Sequence, residues 1–159
     1  MPIIESPPDM PLALDNNVFT HLRNKQPYVL EYVKGHFLNT RRLPVIPSLV
    51  NFEANFGIQK ALVTNKIFAE QADFQIQEIN KLASIHTVID FNQKAAEIAA
   101  YIFARLSKSD KNQHWRDTFI VATAISHNYG LATQNKRDME LIVNHLPNDL
   151  DLRLAVWKA

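Results

Sequence analysis

Apolar and polar positions along this chain follow two periods in alternation. Leu12, Ala13 and Leu14 form a short apolar run stopped by Asp15, Asn16 and Asn17, the pattern of a buried strand ending at a polar turn. Val18, Phe19 and Leu22 follow at helical spacing. Pro27 suits the first position of a second helix, whose apolar face is Tyr28, Val29, Tyr32 and Val33 before Gly35. From there to Arg42 the chain turns polar and basic. Val45 and Ile46, held between Pro44 and Pro47, allow only a two-residue or edge-like strand. Ser48 is placed to cap the long helix predicted by Leu49, Phe52, Phe56 and Leu62, with Glu53 one turn after Leu49.

Phe68, Ala72, Ile76, Ile79 and Ala83 repeat at steps of four and three, which predicts a helix over about 67–83. The β-branched run Thr87, Val88, Ile89 reads as a strand ending at Asp90, and Asn92 can cap a helix striped by Ala95, Ala99, Ile102 and Leu106. Residues 107–116 read as a polar loop. Asp117 then opens a stretch, Phe119 through Ile125, that is apolar on nearly every side, as in a central buried helix. Gly130 ends it, Leu131, Ala132 and Thr133 make a short strand, Asn135 to Asp138 lead into another helix, and 152–157 close the chain as a strand. Strands separated by helices predict an α/β fold with parallel neighbours, since parallel pairing needs crossover connections. No repeat or linker divides the 159 residues, a length suited to one core. One domain over 1–159 is expected, with 1–10 a flexible or loosely packed lead.

Composition narrows the chemistry. A 47% hydrophobic, 21% charged mixture is globular rather than disordered. Seventeen basic against sixteen acidic residues leave a net charge of +1, so any polyanion site has to be a local patch. The absence of cysteine excludes disulfides, zinc thiolates and thiol nucleophiles. The first ten residues lack the basic start and apolar run of a secretory signal, and no stretch is long enough to span a bilayer, so a soluble, cytoplasmic protein is expected.

In an open α/β sheet, ligands collect beyond the carboxyl ends of strands, where Asp15 is placed. Asp138 follows another strand by a few residues, while Asp117 and Glu53 project from helices, so four acids are positioned to converge on one mouth. Carboxylates that close repel one another unless a cation neutralises them, and hard oxygen ligands suit magnesium or manganese. Magnesium held by few carboxylates keeps several waters, and one of these can attack a phosphodiester. Taken singly, each acid also has a structural reading: an Asx-turn at Asp15, helix caps at Asp117 and Asp138, a solvated helix position at Glu53.

Four motifs in order resemble the PIN-domain family and, within it, the VapC-like toxins. Leu12-Ala13-Leu14-Asp15-Asn16-Asn17 is similar to the family's opening strand ending in aspartate. Pro47-Ser48-Leu49-Val50-Asn51-Phe52-Glu53 resembles its serine followed by a helical glutamate. Trp115-Arg116-Asp117 through Ala124 resembles an aspartate opening an alanine-rich helix, and Thr133-Gln134-Asn135-Lys136-Arg137-Asp138-Met139 its threonine, asparagine and aspartate. Asn16 stands where threonine or serine is commoner, and Met139 where phenylalanine is usual. The resemblance implies a PIN-like three-layer fold with a central mainly parallel sheet flanked by helices. It also implies a magnesium- or manganese-dependent ribonuclease, homodimerisation and an antitoxin partner. Asp15, Glu53 and Asp117 would be the main metal ligands, with Asp138 completing the cluster and Asn135 orienting a ligand or water.

Lys136 and Arg137 lie inside the fourth motif and are candidates, with Asn135, for contact with substrate phosphates; Arg23, Lys25, Arg41 and Arg42 read as surface charge. The six histidines lack the spacing of a helical zinc site and read as structural. Packing is the reading for Trp115 and Trp157, and the aromatics Tyr28, Tyr32, Phe37 and Phe56 suit either core or a dimer or antitoxin groove. Two other functions compete. One is a non-catalytic PIN-like module that binds RNA or protein; the other is a phosphotransferase using Asp15 as nucleophile, disfavoured because Asn17 stands where such sites often place a second aspartate.

Overall fold

The short apolar runs become strands and the periodic stretches become helices in the computed structural model, which describes residues 3–159. In chain order these are β1 (Ile3–Glu5), β2 (Leu12–Leu14), α1 (Asn16–Arg23), α2 (Pro27–Thr40), β3 (Ile46–Pro47), α3 (Ser48–Val63) and α4 (Ala69–His86). They continue with β4 (Val88–Ile89), α5 (Gln93–Phe103), α6 (Lys108–Ser126), β5 (Gly130–Thr133), α7 (Lys136–Val143) and β6 (Leu152–Val156). The architecture is α/β, a central parallel sheet flanked by helices.

Four strands pair in the order β1-β6-β5-β2, and β3 pairs with β4, every pair being parallel. A parallel bridge between Ala13 and Val45, with Leu14 N–H donating to the Val45 carbonyl at 2.9 Å, joins β2 to β3. The spatial order is therefore β1-β6-β5-β2-β3-β4. From β2 the chain proceeds outward to β3 and β4, whereas from β5 it proceeds the other way to β6. The carboxyl ends of β2 and β5 thus flank the point where strand order reverses, the place where open α/β sheets leave a crevice.

The β2–β5 register pairs Leu14 with Ala132, so one step further Asp15 meets Thr133. Close strand approach explains Gly130: a Cβ there would lie 2.8 Å from Leu12 Cδ2 and 3.2 Å from the Arg153 carbonyl oxygen. The core is closed by fully buried Leu14, Phe19, Ile46, Ile120, Leu131 and Leu152, contributed by strands and the helices covering them. Ile120 through Ile125 are all buried, as expected of a helix apolar on every side.

Several local expectations are corrected. The proline-rich lead is not loose at residues 3–5, because Ile3 pairs with Leu152 and Glu5 with Leu154 as an edge strand. Helix α2 does not stop near Gly35; it runs to Thr40 and ends where Arg41 turns left-handed at φ 59°, its N–H donating to the Phe37 carbonyl at 2.8 Å. Ser48 does not cap α3, since Pro47 occupies that position; the Ser48 hydroxyl accepts instead from the Phe91 N–H at 3.2 Å. The expected loop at 107–116 is helical. Ser107 caps it by accepting from the Asp110 N–H at 3.1 Å, and the helix continues into the buried segment across a kink at His114 (φ −121°, ψ 18°). Polar sequence misled here because the first turns of α6 are solvent-facing, so helical periodicity leaves no apolar stripe to read.

Candidate active site

Asp15 sits where β2 gives way to α1. Its side chain accepts from the Asn16 N–H at 2.8 Å and from the Thr133 hydroxyl at 2.6 Å, and its own N–H donates to the Ala132 carbonyl at 2.9 Å. The residue is 4% exposed. Burial pushes its carboxyl up to about 6; the Thr133 hydrogen bond opposes that rise, and the nearby Asp117 adds to it. Thr133 does a second thing: its hydroxyl oxygen accepts from the Asn135 N–H at 3.1 Å, which ties the end of β5 to the start of α7.

Asn135 caps α7. Its side-chain oxygen accepts from the Asp138 N–H at 3.2 Å, while its amide donates to the Asp138 carboxylate. That reciprocal pair at the first turn satisfies a free helix N–H and holds the Asp138 carboxylate in one orientation. One chain of contacts, Asp15 to Thr133 to Asn135 to Asp138, therefore fixes two of the four acids relative to the sheet.

Glu53 and Asp117 come from helices instead. Glu53 projects from the second turn of α3, its side chain 13% exposed, and burial pushes its carboxyl up to about 7. Arg116 opposes this rise, while Asp117 and Asp15 add to it. The Arg116 Nε is 3.6 Å from Glu53 Oε1, close enough for charge attraction but too long for a hydrogen bond, and Oε1 is buried with no hydrogen-bond partner among the described residues. Asp117 lies one turn past the kink in α6. Burial raises its pKa above the ordinary carboxylate value, a contact from His114 lowers it, and Asp138 raises it again. Charge repulsion couples Asp15 to Asp117 and Asp138, Glu53 to Asp117 and Asp15, and Asp117 to Asp138, so the four acids named from the sequence lie in one neighbourhood.

Sequence reasoning gave no part in the site to three further residues at this mouth, His114 having been read as structural. Thr133 lay within a recognised motif but was assigned nothing. His114 is buried with its Nδ1 3.4 Å from Asp117 Oδ2, and ligand atoms of His114, Asp117 and Asp138 all lie within 4.8 Å of one another. Three residues before Asp117, it would have been visible as a same-face neighbour had 107–116 been read as helix. Arg116 stacks over Trp115, 4.6 Å from the ring centroid, and leans toward Glu53. Of the proposed phosphate contacts, Lys136 and Arg137 are exposed on the first turn of α7, Lys136 lying 3.9 Å from Glu140, while Asn135 is occupied by its cap.

The aromatic expectations divide. Trp157 is packed, stacking on Tyr32 at 5.1 Å, and Tyr28 hydrogen-bonds with His21 and Gln134. Phe37 and Phe56 are exposed, and Phe52 stacks on Phe56 at 5.9 Å.

The donor set fits a hard divalent cation. Four coupled carboxylates line a partly dry crevice, two pushed well above the usual carboxylate range, and a buried Glu53 oxygen has no donor among the described residues. An α/β fold with a carboxylate mouth at the reversal of its strand order defines the class. The PIN domain model matches residues 13–142, and the chain belongs to that family. No curated sequence relative matches. Among solved structures the chain is similar to one in the VapBC complex from Salmonella typhimurium bound to DNA, at 24% identity and TM-score 0.70, covering 94% of this chain and 99% of that one. It is similar to a chain of VapBC2 from Rickettsia felis bound to a promoter DNA fragment, at 21% identity and TM-score 0.68, covering 94% and 100%. A third likeness is to VapBC-1 from nontypeable Haemophilus influenzae, at 20% identity and TM-score 0.64, covering 93% and 98%. The shared feature is the fold.

Proposed function

We propose that this chain is a metal-dependent endoribonuclease that hydrolyses RNA phosphodiesters, and the toxin of a toxin–antitoxin pair. The observation that supports the first half is the charge coupling among Asp15, Glu53, Asp117 and Asp138, with Glu53 Oε1 buried and without a hydrogen-bond partner among the described residues. A divalent magnesium or manganese ion, when bound, supplies charge neutralisation and an acidified water for attack on phosphorus. Asp15 and Asp138 act as carboxylates whose orientation is set in advance by Thr133 and Asn135. Glu53 and Asp117 complete the donor set from α3 and α6. Lys136 and Arg137, exposed beside Asp138, offer positive charge to the RNA backbone without reading its sequence.

The second half is supported by the fold shared with VapBC chains, a family of toxin–antitoxin systems. It is supported also by apolar surface left open on α3, α4 and the turn between them: Phe52, Phe56, Val63, Phe68 and Phe74 are all exposed. Such surface suits a second copy of the chain or an antitoxin. No helix among the described residues is long and apolar enough to cross a membrane.

The test is cleavage of a mixed pool of labelled RNAs by purified protein with magnesium, manganese or chelator, beside Asp117→Asn. Cutting is expected only with metal and to fall on the order of 10³-fold in the variant, since one such ligand carries several kcal/mol of transition-state charge stabilisation. Undiminished cutting by Asp117→Asn, or cutting in chelator, would reject the assignment. RNA binding without any cleavage would favour the non-catalytic module.

A further inference from the structure

We propose that His114 is itself a metal ligand, forming with Asp117 and Asp138 an imidazole–dicarboxylate set that favours a first-row transition ion such as manganese over magnesium. The inference rests on the reading above that the acidic mouth holds a divalent cation. The three residues offer donor atoms that all lie within 4.8 Å of one another, a spread that one cation can bridge. His114 is 6% exposed and sits at the non-helical kink in α6, so the backbone departs from helix at the residue whose ring enters the mouth. The kink is held by the Thr118 hydroxyl, which donates to the His114 carbonyl at 2.9 Å.

The contact between His114 Nδ1 and Asp117 Oδ2, at 3.4 Å, is longer than the roughly 2.7–2.9 Å of a charge-assisted hydrogen bond. It is a long and weak hydrogen bond, so little is lost if both groups turn to share an ion. Asn135 donates to Asp138 Oδ2, restricting a carboxylate that has an oxygen within reach of the other two residues. Glu53, whose charge couples to Asp117, offers a further donor, because its buried Oε1 has no hydrogen-bond partner among the described residues. Magnesium prefers oxygen ligands and gives up its waters reluctantly, whereas first-row transition ions gain affinity from an imidazole nitrogen. An all-carboxylate mouth would lack that preference.

The experiment is pulsed electron paramagnetic resonance on tag-free, full-length protein loaded with manganese, beside calorimetric titrations with manganese and with magnesium. Wild type is expected to show nitrogen modulation from one coordinated imidazole. His114→Gln is expected to keep binding manganese without that modulation, with its manganese-to-magnesium affinity ratio lowered about tenfold. Absent modulation in manganese-loaded wild type, or modulation persisting in His114→Gln, overturns the ligand assignment. Equal weakening of both ions in His114→Gln also overturns it, leaving His114 as a hydrogen-bonding support for Asp117 and the nuclease reading intact. If wild type binds neither ion, or binds equally well with Asp117→Asn, the metal reading fails and this inference with it. Should His114→Gln not fold, the wild-type spectrum alone decides.

Discussion

At the mouth, charge lies inside: Asp15 is 4% exposed and Glu53 has a carboxylate oxygen buried without a hydrogen-bond partner among the described residues. On the α3–α4 pair, apolar surface lies outside, with Phe68 81% and Phe74 64% exposed. Both placements invert the usual rule of burial, yet their physics differs. A desolvated carboxylate is destabilising only while ionised, so its effect depends on pH and is relieved by a proton or a cation. An exposed phenylalanine forgoes burial at any pH and is relieved by any apolar cover. The fold thus leaves two unmet demands, one for a small ion and one for a protein, and each should answer to a different perturbation.

The largest separation between them should come from pH. The unfolded chain's carboxyls ionise near 4, whereas the native protein keeps its proton to about 6 at Asp15 and about 7 at Glu53. Between those values the native state binds more protons than the unfolded state, so stability falls as pH rises through the window. At Asp15 the shift corresponds to about 3 kcal/mol lost above it. The Tm of chelated protein should therefore decline from about pH 4 to 7 and be restored by manganese more at pH 8 than at pH 5; Asp15→Asn should flatten the decline. A Tm that rises across the window in chelator would refute the account of the mouth.

The helix pair should behave oppositely. Phe68→Ser with Phe74→Ser is expected to change monomer stability by no more than about 0.5 kcal/mol, alike at pH 5 and pH 8. The same variant should weaken self-association or antitoxin binding by about 2 kcal/mol, roughly 30-fold, in sedimentation or titration. Unchanged association would assign that surface no partner.

The finest test returns to the mouth. Thr133→Val removes the donor to Asp15 and should cost about 1.5 kcal/mol at pH 8, where the carboxylate is ionised, and less at pH 5. An equal loss at both pH values would mean that packing, not charge, makes Thr133 matter.

Much of this was legible in the amino-acid order. Leu12–Leu14 announced a buried strand and Asn92 a helix start, and both form as read; the cap of α7 is Asn135 rather than Asp138, which lies inside the first turn. The four acids were legible through the resemblance of four motifs in order; local rules alone gave each a structural reading, and placed Asp117 at a helix start although it lies inside α6. Legibility failed where the relevant contact was distant or the pattern too polar to show a period. Ile3–Glu5 looks like a loose proline-rich lead until β6, almost 150 residues later, offers it an edge. The first turns of α6 looked like loop, and that reading hid His114, whose relation to Asp117 exists only if the helix begins before the kink.

By itself, then, the sequence determined most of the elements and their alternation, because these follow from short-range sterics and hydrophobic period, while the four carboxylates stood out through the order of the four motifs. Only the tertiary structure decided that Thr133 grips Asp15 from 118 residues away, that His114 faces the same mouth, and that Glu53 keeps an oxygen without a hydrogen-bond partner among the described residues. Such facts depend on strand order and register, which are settled by the packing of the whole core rather than by any stretch of chain.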